Sequence, residues 1–156
     1  MTNKTDINRL GFLLTDVTRL FRQSFEREIT RAGLEITPGE ARALARVSAL
    51  QGARQSEIAE QLGIEPMTLC RYLDKLETAG LVVREGDPAD RRAKRVITTD
   101  EAGPVLRAIR ECSDRVTRKM QTGLNAQQCD TMRAALKIMR ENVSRREADA
   151  DMLEAV

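Results

Sequence analysis

Histidine and tryptophan are missing from this chain, tyrosine occurs once, and aromatics make up 3% of 156 residues. Without imidazole, the commonest metal ligand is gone, and so is the base of serine–histidine and cysteine–histidine nucleophiles. The three cysteines, Cys70, Cys112 and Cys129, are odd in number, widely spaced and never in a CxxC pair. Neither a zinc site nor a disulfide framework is expected from them. No apolar run approaches the ~18 residues of a membrane span, and the polar opening MTNKTDINR does not read as a signal peptide. The expectation is a cytoplasmic chain without cofactor or metal, and not an enzyme.

What the chain has in abundance is charge, 32% of its residues, set among Ala, Leu, Glu, Arg and Gln. That composition favours a mostly helical protein, and the length suits one domain with a real core. A net charge of +2 says little, but its distribution says more. Positive charge gathers at Arg84, Arg91, Arg92, Lys94 and Arg95, and negative charge at Glu147, Asp149, Asp151 and Glu154.

Apolar spacing predicts a long helix over about 6–32, with Ile7, Leu10, Leu14, Val17, Phe21, Phe25 and Ile29 on one stripe. Leu13 and Leu20 widen that stripe, which implies two apolar neighbours. Thr37-Pro38-Gly39-Glu40 has the form of a capping box with proline at the first helical position. It opens a helix burying Ala41, Leu44, Val47 and Leu50, and Arg54 suggests a very short strand after it. A third helix is expected over Ser56 to Leu62, and Gly63 allows positive φ at the turn. A fourth follows Glu65-Pro66 and turns Leu69, Leu73 and Leu76 inward. Short strands are predicted at 81–84 and 95–98, joined by EGDPADRRAK. Thr99 with Asp100 and Glu101 reads as the start of a helix reaching about residue 122. A last helix follows over about 126–146, and both carry coiled-coil-like seams.

The middle of the chain has the parts needed to read duplex DNA. With its leucines inward, the fourth helix presents Pro66, Met67, Thr68, Cys70, Arg71 and Lys75 outward, and a helix fits the major groove. Arg71 suits a bidentate contact to guanine, and Thr68 a thymine methyl, a base edge or a phosphate. Gln55 and Ser56 open the preceding helix, whose N–H groups can meet a backbone phosphate. The hairpin then carries RRAKR, four cations in five residues, at its tip. Asp90 stands two residues before Arg92, close enough to orient its guanidinium for a narrow minor groove. Lys94 and Arg95 suit phosphates.

Each signal has a plain competitor. Helix pairs with a glycine turn are common in helical cores, basic runs are usually solvated faces, and Asp90 can make a surface ion pair of ~0–1 kcal/mol. The conjunction favours DNA.

The segment SEIAEQLGIEPMTLCRYLDKLETAGLVVREGDPADRRAKRVITTDEAGP resembles the MarR family of winged helix-turn-helix regulators. Its DRRAKR run before a capped helix is especially similar to the SlyA branch. The likeness extends over about Ile7 to Val143. It implies a mainly α fold with a small β-hairpin wing, a DNA-binding lobe over 36–99, and dimerisation helices over 6–33 and 100–146. It also implies a homodimer on an inverted repeat, with recognition helices ~34 Å apart, acting as a transcriptional repressor. By the same resemblance Thr68 and Arg71 read bases, Ser56 holds the backbone, and Asp90, Arg91 and Arg92 form the wing tip. Many relatives bind small aromatic anions, for which Arg19, Arg22 and Arg42 are candidates beside their plain role as solvated surface; the sequence names no effector site. Two other readings stay open: a redox-sensing regulator using Cys70, and a winged-helix fold used only for protein assembly. Glu65 departs from the Ser or Asp of many relatives at the helix entry, which implies a weaker cap.

Overall fold

The computed structural model describes residues 6–154. Six helices and three strands follow in the order α1 (Leu10–Arg31), α2 (Pro38–Ala49), β1 (Ala53–Arg54), α3 (Gln55–Leu62), α4 (Pro66–Thr78), β2 (Val82–Asp87), β3 (Asp90–Thr98), α5 (Ala102–Met120) and α6 (Ala126–Glu154). The chain divides into two compact units, Met1–Thr117 and Arg118–Val156. The side chains of the acidic tail residues Glu147, Asp149, Asp151 and Glu154 lie outside the described residues.

Helix α1 begins later than its apolar pattern predicts. The Asp6 carboxylate accepts the Asn8 N–H at 2.9 Å, and the Asp6 carbonyl accepts the Arg9 N–H at 3.2 Å. This local turn competes with the helix and leaves Ile7 ahead of it, 72% exposed. Only Phe25 and Ile29 of α1 are buried, at its C-terminal end, where Arg115 of α5 meets Glu28 at 2.7 Å. Leu10, Phe12, Leu13, Leu14, Val17 and Leu20 remain exposed.

The Thr37–Glu40 box forms as its spacing predicts. Glu40 N–H donates to Thr37 Oγ1 at 3.2 Å, and Thr37 N–H donates to Glu40 Oε2 at 3.0 Å. The cap starts α2 just where Gly39 lets the next element approach. A Cβ built on Gly39 would lie 2.5 Å from Tyr72 Oη and 2.6 Å from Cζ, so any larger residue there would have to displace the tip of the Tyr72 ring. Below it, Leu44, Val47, Leu69, Leu73 and Leu76 are fully buried, each contributing about 1.5–3 kcal/mol by burial. At Gly63, φ of 61° ends α3 in the left-handed region, which glycine adopts without strain. Ile64 then tucks, half-buried, against the core.

The sheet is antiparallel with order β1-β3-β2. Val82 and Val96 are buried at its base, and pairing continues well beyond the predicted strands, from Val82↔Thr98 to Gly86↔Lys94. The segment predicted as a loop is therefore mostly strand, because backbone pairing needs no apolar side chains once its base is anchored.

Two features of α5 and α6 also differ from expectation. Thr99 does not cap α5: its hydroxyl donates to the Gly80 carbonyl at 2.6 Å, so the helix starts at Ala102. Helix α6 is capped reciprocally by Asn125 and Gln128, each N–H meeting the other's side-chain oxygen at 2.9 Å. It runs to Glu154, past the predicted end. Met132, Leu136, Ile138 and Val143 on it are exposed.

Candidate nucleic-acid interface

Helix α4 is set by its buried leucines, and its opposite face is open. Pro66, Met67, Arg71 and Lys75 are exposed and Thr68 is half-buried. Positions 67, 71 and 75 share a face by their spacing of four. Glu65 makes no side-chain cap hydrogen bond to α4, as its departure implied. Cys70, predicted to face outward, is half-buried, and the Arg84 guanidinium donates toward its sulfur at 3.9 Å.

Arg84 does not belong to the basic cluster in practice. Its Nη2 meets Asp74 Oδ1 and Glu77 Oε2 at 2.6 Å each. Glu77 first and Asp74 next raise its pKa further above the ordinary arginine value, and Arg84 in turn holds the Glu77 carboxyl low. The positive charge counted there is compensated, and the base of β2 is tied to the C-terminal half of α4.

Gln55 and Ser56 form the first turn of α3, Gln55 half-buried and Ser56 exposed. Their helix is entered from Arg54, whose N–H donates to Glu57 Oε2 at 2.9 Å. The early N–H groups of the helix carry its positive dipole end.

The hairpin corrects the expected wing. Its turn is Pro88–Ala89, and RRAKR lies within β3 rather than at the tip. The register slips between Gly86↔Lys94 and Asp87↔Asp90, so Arg91, Arg92 and Ala93 have no partner on β2. Such a bulge re-aims side chains at a strand end, and Arg91, Arg92 and Lys94 are all exposed. Asp90 does not hold the Arg92 guanidinium; its Oδ1 accepts the Arg92 backbone N–H at 3.0 Å.

Asp87, which drew no attention in the sequence, is buried at the turn. The Ala89 N–H, and then the Arg54 guanidinium, hold its carboxyl below the ordinary carboxylate range against the opposing effect of burial. Arg95 also approaches it, its Nε 3.4 Å from Oδ2, while its side chain stays 44% exposed. The only sequence signal was the turn-forming GDPAD run.

Elsewhere in the first unit, a cavity of about 620 Å³ is walled by Phe21, Phe25, Leu62, Leu106 and Ile109. Arg22, Arg42, Arg46 and Arg110 also line it, with no carboxylate among the lining residues. Arg42 Nε is buried without a hydrogen-bond partner. Arg19 does not line it and pairs instead with Asp16 at 3.3 Å. Among the described residues no cluster of three or more acidic or cysteine side chains could hold a metal ion, and no helix is long and apolar enough to cross a membrane.

Residues 36–94 match the family model described as MarR family. The chain is similar to a MarR family transcriptional regulator from Silicibacter pomeroyi, with 27% identity and a TM-score of 0.73 over 86% of this chain and 90% of that one. It is similar to the transcriptional regulator SlyA with 26% identity and a TM-score of 0.69, over 90% and 96% of the two chains. A MarR transcriptional regulator from Methanosarcina mazei Go1 shares the fold at 23% identity, with a TM-score of 0.74 over 87% and 96%. At 26% against 27% identity, SlyA stands no nearer than the Silicibacter protein. With its helix pair α3–α4 and most of its β2–β3 wing inside the matched segment, the chain carries over residues 36–94 a MarR family domain folded as a winged helix-turn-helix.

Proposed function

We propose that this chain is a transcriptional regulator, a sequence-specific reader of double-stranded DNA acting as a homodimer on an inverted repeat. Residues 36–99 are its DNA-binding lobe, and the helices within 6–33 and 100–146 hold the second copy. A dimer seated on a promoter blocks access to it, which makes repression its natural mode. The observation that carries the reading is the outward face of α4. Arg71 is exposed there with Thr68 and Lys75 beside it, in the same compact unit as the exposed cations of β3. Arg71 is assigned to a base edge and Thr68 to a base or phosphate. Gln55, Ser56, Pro66 and Lys75 are assigned to positioning on the backbone, and Asp90, Arg91, Arg92 and Lys94 to the wing contact.

The test begins with selection of bound duplexes from random DNA, which is expected to return an inverted repeat. On that duplex Arg71→Ala should cost about 1–3 kcal/mol and relax preference at one position per half-site. Arg92→Ala should weaken binding with preference kept. Normal affinity and preference in both variants would remove these roles. A flat salt dependence in the parent protein would instead favour a fold used only for assembly.

The arginine-lined cavity supports control by a small anion with an aromatic or apolar body. Apolar walls would take the body, and the unpartnered Arg42 Nε would gain its missing acceptor. A ligand acts on DNA binding only through different affinities for two arrangements of the protein. Benzoate as probe is expected to raise the melting temperature of the parent protein and to do so less in Arg42→Gln. No shift at millimolar benzoate, or equal shifts in both, would dismiss the site.

A further inference from the structure

Asp87 is the one buried charged residue among the described residues, 5% exposed, and it stands where three strands meet. Its Oδ1 accepts the Ala89 N–H at 2.8 Å, and its Oδ2 accepts from Arg54 Nε at 2.6 Å. Arg95 Nε lies 3.4 Å from the same Oδ2. Arg54 on β1 and Arg95 on β3 are themselves register partners. Two guanidiniums share this one buried carboxylate, while Glu85, the register partner of Arg95 on β2, is exposed. Asp90 and then Glu57 also favour the charged form of Arg54, each less than Asp87 does.

The mode of attachment leaves useful groups free. Both arginines face Asp87 through Nε, and their side chains remain 38% and 44% exposed. Arg95 Nη1 donates to the Gly52 carbonyl at 3.4 Å. Among the described residues, none accepts from the Nη atoms of Arg54. Arg54 is also the residue from which α3 starts, directly before Gln55 and Ser56. A guanidinium already held by a buried anchor loses little further freedom when it binds, and its planar fork matches a phosphate.

We propose that Asp87 holds Arg54 and Arg95 as a paired grip on one DNA backbone phosphate at the entry of α3. Asp87 is the positioning residue, and the two arginines make the contact. The grip rests on the DNA-binding reading above and adds to it Arg54, Asp87 and the anchor that joins Arg95 to them. A phosphate contact of this kind fixes where the lobe sits on the duplex without reading sequence.

The sign of one substitution separates a grip from plain charge. Asp87→Asn removes a negative charge, which by charge alone tightens DNA binding. Loss of the grip weakens it instead, and a loss of roughly tenfold is expected for one charge-assisted contact. Arg54→Gln should weaken binding by a similar factor and lower the slope of log K against log salt by about one, on selected and unrelated duplexes alike. Arg54→Lys keeps the charge but not the fork, and should keep the slope while losing affinity. Arg54 is partly exposed, so its variants remain informative if Asp87→Asn fails to fold.

Tighter binding by folded Asp87→Asn would overturn the proposal. So would unchanged affinity and salt slope in Arg54→Gln where the parent protein binds DNA normally. Absence of DNA binding by the parent protein at low salt would sink the DNA reading first, and the grip with it.

Discussion

Leu13→Asp combined with Leu20→Asp is expected to leave the protein monomeric and to weaken its hold on a duplex carrying both half-sites by ~10²–10⁴-fold, the range lost when two linked contacts become one. The two leucines are 44% and 49% exposed on α1, and Leu10, Phe12 and Val17 nearby are 59%, 48% and 46% exposed. Exposed apolar side chains in this number along one helix are uncommon on a protein that works alone. Helix α6 separately exposes Leu136 at 44% and Val143 at 60%. A second copy laid on such faces would make them interior, and a carboxylate placed there would lose its water without gaining a partner. Sedimentation equilibrium reads the mass, and titration against full and half sites reads the affinity. Because these side chains pack against little of their own chain, circular dichroism should stay unchanged. A double variant that remains dimeric with full affinity would refute both the interface and the two-site mode of binding.

The largest single loss of stability is expected from Leu73→Ala, at about 2–5 kcal/mol. Leu73 is the middle of three fully buried leucines on the inner face of α4, between Leu69 and Leu76. Removing it takes away apolar contact and leaves a cavity between helices that cannot wholly collapse. The outward face of α4 depends on that support, so DNA binding should fall with the folded fraction. Met67→Ala, on the same helix but 72% exposed, is expected to stay within about 0.5 kcal/mol of the parent. Urea unfolding at one fixed protein concentration compares the three proteins, since a dimer's stability would depend on concentration. A Leu73→Ala variant within 1 kcal/mol of its parent would mean that α4 is held by something other than this packing.

Much of this architecture was legible because local rules and tertiary packing agree. The Thr37–Glu40 box, the turn at Gly63 and the leucine face of α4 each follow from spacing alone, and each forms as expected. The misreadings fall where a partner distant in sequence decides the outcome. Arg84 looked like part of a basic arm until Asp74 and Glu77 of another element claimed it. Thr99 has the chemistry of a helix cap, but the Gly80 carbonyl takes its hydroxyl proton. RRAKR looked like a loop because charge and turn formers dominate it, whereas the register anchored at Val82 and Val96 carries β3 through it. Asp87 was invisible for a related reason: its burial depends on Arg54, 33 positions away, and no local pattern announces that meeting.

The close fit of Tyr72 against Gly39 has an optical consequence. The chain has one tyrosine and no tryptophan, so its intrinsic fluorescence comes from one ring, half-buried between the second and fourth helices. Emission from the unaltered protein therefore reports on the seam that supports the outward face of α4, without an attached dye. Loosening of that seam by denaturant, by a bound anion or by DNA can be followed at a single, known place.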